Sequence, residues 1–135
     1  MSTADRDAFV EWVRSRLEPA EIALHNGDAD PRRALWSRHD PVTVLGAWKD
    51  AGGQEEVADL FALLERSLTN CTSYEFDMTT FDVIGDVAYT VGYEHTQASI
   101  DGQPQTYTLR ATQIYRREAG EWKVVHRHAD NVRDR

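Results

Sequence analysis

Cysteine and long apolar runs are scarce in this sequence. The single cysteine, Cys71, cannot form a disulfide within the chain, and one thiol cannot make up a multi-cysteine zinc or iron–sulfur site. No apolar run approaches the roughly 18 residues that a membrane-spanning helix needs. The first residues carry acidic side chains where a signal peptide would carry basic ones. We therefore expect a cytoplasmic protein without a membrane partner.

Basic residues are also few, and their shortage bears on possible partners. Lys and Arg number 15 against 23 Asp and Glu, and the formal net charge of −8 opposes non-specific attraction to nucleic acids and anionic lipids. The acidic excess is uneven, because residues 1–109 carry 8 basic and 19 acidic groups, whereas residues 110–135 carry 7 and 4. Nucleic acid is therefore not an expected partner, and the C-terminal segment is locally basic.

The first half of the chain has the periodicity of helices. Apolar residues recur there every three or four positions, as they do on one face of an α-helix. This spacing predicts helices over residues 4–17 and 54–68, with shorter helical stretches opened by Pro19 and Pro31. A short strand is predicted between them, over residues 42–45.

After Asn70 the apolar period changes to two, which is typical of strands. Four strands are predicted, at residues 74–84, 87–100, 105–117 and 122–130. Their short, glycine-containing connections indicate sequential antiparallel neighbours, a β-meander. Helices followed by a curved sheet indicate an α+β fold in which the helices cover one sheet face, and the length suits a single domain over residues 1–135.

Alternation along the strands assigns side chains to the two faces of the sheet. On the second long strand the odd-numbered face is the more apolar, and we predict that it faces the helices with Tyr93 and His95. If the last hairpin turns through three residues, with Gly120 left-handed, then Gln113 and Arg127 also face inward. Four polar residues of the last two strands then face outward: Arg110, Thr112, His126 and His128. A two- or four-residue loop would reverse this relation.

The predicted inner face has the composition of a ligand pocket, a few polar groups in an apolar concavity. The predicted ligand-binding residues are Trp48, Tyr93, His95, Gln113 and Arg127. An inward arginine needs a counterion, which is either a buried carboxylate of the protein or an anionic ligand. The sequence therefore predicts a pocket for a small apolar molecule that carries a polar or anionic group.

Three segments carry a resemblance to a known family: residues 42–48, residues 107–117 (YTLRATQIYRR) and residues 120–128 (GEWKVVHRH). They resemble the SnoaL-like group of the nuclear-transport-factor-2-like (NTF2-like) superfamily. The resemblance implies a cone-shaped fold whose curved sheet and long helices surround a pocket, and a homodimer formed through the outer sheet face. It implies no single activity, because the superfamily includes isomerases, cyclases, dehydratases, binding proteins and oligomerisation modules.

The ketosteroid isomerases of that superfamily use an Asp base together with a Tyr and a protonated Asp that bind the oxyanion. The resemblance would place the base within residues 42–46 and the second acid within residues 111–113, and neither segment contains a carboxylate. Steroid isomerisation is therefore not predicted. A kinase oligomerisation domain with a similar final hairpin lines its pocket with arginines, and Arg127 is the inward cation here.

Two functions are compatible with these features. The first is a small-molecule pocket protein, with or without isomerase, cyclase or lyase activity, that requires no cofactor. The second is a non-catalytic homodimerisation module with a vestigial pocket and an interface on the outer face. Under the reversed hairpin register, the outer-face residues would line the pocket instead. His126 and His128 share a face with Asp130, but no further cluster joins them in sequence, so no metal site is predicted.

Overall fold

The computed structural model describes residues 3–132, and its elements follow the predicted order of helices first and strands second. The helical elements are α1 (Thr3–Trp12), a π-helical turn (Val13–Leu17), α2 (Glu18–Leu24), α3 (Asp30–Leu35) and α4 (Gln54–Ser67). The π-helical turn joins α1 to α2, and Pro19 lies in the first turn of α2. Proline has no N–H to donate to the preceding turn, which explains why the helix widens there instead of continuing as a regular α-helix.

Within residues 3–132, six strands form one sheet. They are β1 (Thr43–Leu45), β2 (Asp50–Gly52), β3 (Leu68–Ile84), β4 (Val87–Ile100), β5 (Gln103–Glu118) and β6 (Glu121–Asn131). Their order across the sheet is β2-β1-β6-β5-β4-β3, and β3 to β6 form the predicted antiparallel meander. Strand β1 runs parallel to β6, and β2 was not predicted because its three residues are too few to show a period.

An aromatic cluster holds α1 against the sheet. The ring of Phe9 is fully buried, and its centroid lies 5.1 Å from that of Tyr115, 5.3 Å from Trp122 and 6.0 Å from Phe81. Burying a side chain of this size contributes about 2–3 kcal/mol to folding. The cluster therefore fixes α1 against β3, β5 and β6, and the helical stretch continues into α2, which contacts β3.

The last hairpin turns through two residues rather than three, so the predicted register of this turn is wrong. Only Ala119 and Gly120 form the loop, with φ values of 49° and 81°, and a two-residue hairpin turn of this type requires positive φ at both positions. Trp122 and Val124 are consequently buried at 8% and 0% exposure, although alternation with the predicted outward residues His126 and His128 would place them on the outer face.

A bulge in β6 then restores the predicted faces farther along the strand. The pairing of β5 with β6 shifts between Ile114 and Tyr115, which leaves Val125 as the extra residue. Arg127 is therefore buried, as predicted, because the two changes of register cancel, and Ala129 is buried with it. The predicted outer-face positions are confirmed for Arg110, Thr112, His126 and His128.

The face of β4 that points toward the helices is the opposite of the predicted one. Its even-numbered side chains are buried, Thr90 at 1% and Glu94 at 6% exposure, whereas Tyr93 is 38% exposed and His95 is exposed. The prediction that Tyr93 and His95 face the helices is therefore wrong. The buried polar side chains on the inner face of β4 have partners inside the protein, Thr90 with the Tyr115 hydroxyl and Glu94 with Arg127. The helices leave the more apolar face of β4 uncovered.

Candidate functional site

A cavity of about 70 Å³ lies between the sheet and helices α2, α3 and α4. Its walls are apolar, formed by Leu24, Val44, Leu60, Leu64, Leu68, Leu109 and Ala129. Its open side is formed by Gly46, Ala47, Trp48 and Lys49, and its floor carries the polar groups of His25, Arg32, Glu94, Tyr107 and Arg127. The predicted ligand-binding residue Trp48 is thus at the rim, 47% exposed.

A buried ion pair between β4 and β6 forms one part of the floor. Arg127 donates to both oxygens of Glu94, with Nη1–Oε2 at 2.9 Å and Nη2–Oε1 at 2.6 Å. The same Nη1 donates to Oε1 of Gln113 at 3.1 Å, and Tyr74 donates its hydroxyl to Glu94 Oε2 at 3.1 Å. Arg127 is 7% exposed and Glu94 is 6% exposed, so these charges are almost removed from water. The counterion that an inward arginine requires is therefore a carboxylate of the protein itself.

A second buried pair joins α2 to α3. Arg32 donates from Nε to Glu21 Oε2 at 2.9 Å and from Nη2 to Glu21 Oε1 at 2.5 Å. The two pairs are linked, because Arg127 Nη1 lies 3.8 Å from Glu21 Oε1. The four side chains carry two positive and two negative charges, so the group is electrically neutral as a whole. In both pairs the arginine donates to both oxygens of the glutamate, and these hydrogen bonds offset the free-energy cost of removing the charges from water.

The pKa values follow from this pairing. Burial alone would raise the pKa of Glu94, but the charge and hydrogen bonds of Arg127 outweigh it and lower this pKa to about 2. Burial opposes the charge of Arg127 as well, yet the facing Glu94 raises the pKa of that guanidinium. Glu94 is therefore ionised and Arg127 is protonated throughout the neutral range.

A polar chain behind the ion pair fixes the orientation of Gln113. Its Nε2 donates to the Tyr115 hydroxyl at 2.8 Å, and that hydroxyl lies 2.8 Å from Thr90 Oγ1. Because the amide nitrogen is engaged by Tyr115, the amide oxygen of Gln113 is left to accept from Arg127. Gln113 therefore positions the guanidinium, as a buried residue at 5% exposure.

His25 and Tyr107 form the remaining polar part of the floor. His25 is the residue that ends α2, and its Nδ1 lies 2.7 Å from the backbone oxygen of Glu21. Its Nε2 lies 3.1 Å from the hydroxyl of Tyr107 on β5. Burial lowers the pKa of His25, and burial together with the charge of Glu94 raises the pKa of Tyr107 to about 12. Both groups are therefore uncharged at neutral pH.

The structure brings together only part of the predicted site. Arg127 lines the cavity, and Gln113 lies behind it as its hydrogen-bond acceptor. Tyr93 and His95 lie on the outer face with their ring centroids 6.4 Å apart. Among the described residues, the hydrogen-bond partner of the His95 side chain is Thr108, whose Oγ1 lies 3.0 Å from His95 Nδ1. The alternative in which the outer-face residues line this cavity is wrong, because Arg110, Thr112, His126 and His128 point away from it.

Sequence reasoning missed five residues of the floor and its supports: Glu21, His25, Arg32, Tyr107 and Glu94. For Glu21 and Arg32 a signal was present, since each charge falls among apolar positions of a predicted helical stretch. His25 immediately precedes Asn26-Gly27-Asp28, residues typical of a turn, and no pattern in the sequence marks it as a pocket residue. Its location at the C-terminus of α2 is what directs the imidazole toward β5.

One group of carboxylates in residues 3–132 has the spacing of metal ligands, namely Asp28, Asp30 and Glu65. A cation already lies beside them, because Arg33 donates to Asp30 at 2.8 Å and to Glu65 at 2.9 Å. These residues are outside the cavity lining. Two of the three carboxylates are thus already paired with an arginine, and the group gives no reason to infer a metal ion.

The fold and the cavity together define a class of protein, an α+β domain in which helices and a curved sheet enclose a pocket with a polar floor. The sequence supports the same class, since residues 13–130 match the family of the SnoaL-like domain. The chain therefore belongs to the SnoaL-like family, as its sequence segments indicated.

Solved structures with this fold include several NTF2-like proteins. A putative dehydratase of the NTF2-like family from Streptomyces avermitilis is 24% identical, with a TM-score of 0.75 over 96% of this chain and 99% of that one. An NTF2-like superfamily protein from Salmonella enterica is 15% identical, with a TM-score of 0.76 over 98% and 95%. A ketosteroid isomerase-like protein from Erwinia carotovora is 12% identical, with a TM-score of 0.73 over 90% and 95%. These likenesses confirm the predicted fold.

The sequence matches none of the curated proteins with which it was compared. Within residues 3–132, no helix is both long enough and apolar enough to cross a membrane.

Proposed function

We propose that this protein binds a small, largely apolar molecule in the cavity and holds it by an uncharged polar head group. The walls supply apolar surface, and the floor supplies hydrogen-bonding groups, which is the composition of sites for small ligands. The observation that carries the proposal is that both buried arginines already have carboxylate partners, Arg32 with Glu21 and Arg127 with Glu94.

An anionic head group fits this floor less well than an uncharged one. A carboxylate ligand would have to enter beside Glu94 and Glu21, and it would find no unpaired buried arginine among the described residues lining the cavity. Displacing either protein carboxylate would leave a buried charge without its partner, which costs several kcal/mol. An uncharged ligand requires neither change.

The proposal extends to chemistry of the isomerase, cyclase or lyase kind without a cofactor. Two of the solved structures with this fold are a putative dehydratase and a ketosteroid isomerase-like protein, and dehydration and isomerisation both move protons. In this cavity the neutral groups able to accept or pass on a proton are His25 and Tyr107. They lie next to each other on the floor, where a ligand head group would sit.

Thermal denaturation with three matched probes tests the binding proposal. Cyclohexanol is expected to raise the melting temperature by about 4 °C at ten times its Kd, whereas cyclohexanecarboxylate and cyclohexylammonium are expected to leave it unchanged. Leu64→Trp, which fills the cavity, should abolish the shift, and Ala58→Trp on the exposed side of the same helix should preserve it. An equal shift with the carboxylate contradicts the uncharged head group, and no shift with any probe contradicts the pocket.

A second function is favoured by the outer face of the sheet, which we propose binds a second copy of this chain. The more apolar face of β4 lies on this side, where Tyr93 is 38% exposed. Ile114 on β5, which lies opposite Tyr89 of β4, is also 38% exposed. Exposed apolar side chains that are contiguous on a sheet are typical of protein interfaces. A homodimer explains why the apolar side chains of β4 lie on the side away from the helices.

Association through this face is expected to weaken as the pH falls. Burial and the charge of nearby His128 lower the pKa of His126. When His126 becomes protonated at low pH, it adds a positive charge to the outer face of both copies. Sedimentation at pH 8 and pH 5 should show a dissociation constant at least about tenfold higher at pH 5.

Tyr93→Glu should dissociate the dimer at both pH values, and Ala58→Glu, exposed on α4, should not. A dimer constant that is equal at the two pH values contradicts the role of the histidines, and a monomer at pH 8 contradicts the interface.

A further inference from the structure

A chain of three groups ends at the cavity: the backbone oxygen of Glu21, the imidazole of His25 and the hydroxyl of Tyr107. The two hydrogen bonds of the chain are 2.7 Å and 3.1 Å long. A carbonyl oxygen can only accept a hydrogen bond, so the Nδ1 of His25 carries the proton. In the neutral imidazole the Nε2 is then an acceptor, and Tyr107 must donate its hydroxyl proton to it.

The direction of this chain decides what Tyr107 offers to a ligand. A phenol has one proton, and that proton is committed to His25, so the oxygen of Tyr107 can only accept from a further group. Tyr107 and His25 both line the cavity. A ligand hydroxyl that donates to Tyr107 extends the chain, whereas a ligand carbonyl meets an acceptor and gains no bond there.

We propose that Tyr107, held as a hydrogen-bond acceptor by His25, makes the cavity selective for ligands with a hydroxyl head group over carbonyl compounds of the same size. The inference rests on the proposed function, since it requires that a ligand enters this cavity. It adds the chemical class of that ligand, an alcohol or a phenol, and it identifies the two residues that determine the choice.

The surroundings of His25 keep the chain in this direction at neutral pH. The charged and titratable groups that face it are Glu21 on α2, Arg32 on α3, Tyr74 on β3, Glu94 on β4 and Tyr107 on β5. Burial and Arg32 disfavour the imidazolium, whereas Glu21 and Glu94 favour it, and the net effect lowers the pKa of His25. The imidazole is therefore neutral at pH 7 and above.

Protonation of His25 reverses the chain. Both ring nitrogens then donate, so Nε2 donates to the oxygen of Tyr107, and the Tyr107 proton becomes available to a ligand acceptor. Glu94 stays ionised in this range because its pKa is about 2, so the ion pairs of the floor do not change. The preference for hydroxyl over carbonyl should therefore shrink as the pH falls through the pKa of His25.

Calorimetric titration with cyclohexanol and cyclohexanone tests the proposal. At pH 8 we expect cyclohexanol to bind about five- to tenfold more tightly, which is the ratio one hydrogen bond between neutral groups supports. As the pH is lowered stepwise from 8, the ratio should fall toward one once the pH is below the pKa of His25 measured by NMR in the same samples. Equal Kd values at pH 8 overturn the selectivity but leave the pocket intact, whereas a failure of both probes to bind overturns the proposed function as well.

Two controls separate the role of the chain from a general effect on folding. Tyr107→Phe keeps the ring and removes the hydroxyl oxygen that would accept from the ligand, so the preference for cyclohexanol at pH 8 should fall below the wild-type value. His95→Gln on the outer face should retain the wild-type ratio. Nitrogen NMR of the ligand-free protein at pH 8 should show His25 as the Nδ1–H tautomer. The Nε2–H tautomer would overturn the proposal, whatever the stability of the variants.

Discussion

Replacing Glu94 with glutamine is expected to lower the free energy of unfolding by about 3–5 kcal/mol. The substitution keeps the shape of the side chain but leaves the guanidinium of Arg127 buried without the carboxylate that faces it at 2.6 Å and 2.9 Å. Gln113 remains as a neutral acceptor, and Glu21 remains only at 3.8 Å. Urea denaturation at pH 7 measures the loss.

An exposed pair on the same sheet supplies the matched control. Arg110 donates to both oxygens of Asp130 at 3.2 Å and 3.0 Å, but both side chains are 53% exposed. Asp130→Asn is therefore expected to cost less than about 1 kcal/mol, because water screens and solvates these charges. A loss for Glu94→Gln that is no larger than the loss for Asp130→Asn would contradict the inferred importance of burial.

The pH dependence of the free energy of unfolding provides a second test of Glu94→Gln. The pKa of Glu94 is lowered from 4.5 to about 2 in the folded protein, so its contribution is complete above the pKa of the unfolded chain and is lost as the pH falls through the folded value. Glu94→Gln removes this contribution at every pH. The difference between wild type and variant should therefore be constant above about pH 5 and shrink from there toward pH 2.

The final hairpin shows what the sequence can and cannot predict about register. Short glycine-containing turns and strong alternation are local signals, and they predicted the four long strands of the meander. The choice between a two- and a three-residue turn at Ala119 is a small local difference, yet it reverses every side chain that follows. The bulge at Val125 reverses them again, and no residue pattern in β6 marks it. Arg127 was assigned correctly because two departures cancel.

Glu94 was missed for a different physical reason. Alternation identifies the face that avoids water, but on β4 the more apolar face is the outer one, and the inner face buries polar groups that have partners elsewhere in the chain. Arg127, the partner of Glu94, lies 33 residues away. A buried charge is tolerated only with such a partner, and single-sequence patterns do not show which distant residues will meet. The sequence therefore predicted the pocket and its arginine, and the tertiary structure alone supplies the counterion.

Replacing Gly92 with alanine is the second substitution with a large expected effect. Gly92 lies on the inner face of β4, two residues before Glu94, where β3 bulges between Met78 and Thr80. A Cβ atom at this position would lie 2.2 Å from the backbone oxygen of Asp77, and backbone atoms cannot move aside without disturbing the strand pairing. We expect a loss of about 3 kcal/mol in the free energy of unfolding, the upper range for overpacking a core.

Gly52 provides the matched control, because a Cβ atom there meets no described atom within 4 Å and its backbone is extended. Gly52→Ala should therefore leave the free energy of unfolding within about 0.5 kcal/mol of the wild type. Since the close approach of β3 at Gly92 also sets the distance from Tyr74 to Glu94, Gly92→Ala should weaken cyclohexanol binding under conditions where the variant is still folded. Equal stability for the two alanine variants would show that β3 moves away from β4 without penalty, and the close contact at Gly92 would then have no part in holding the floor of the cavity.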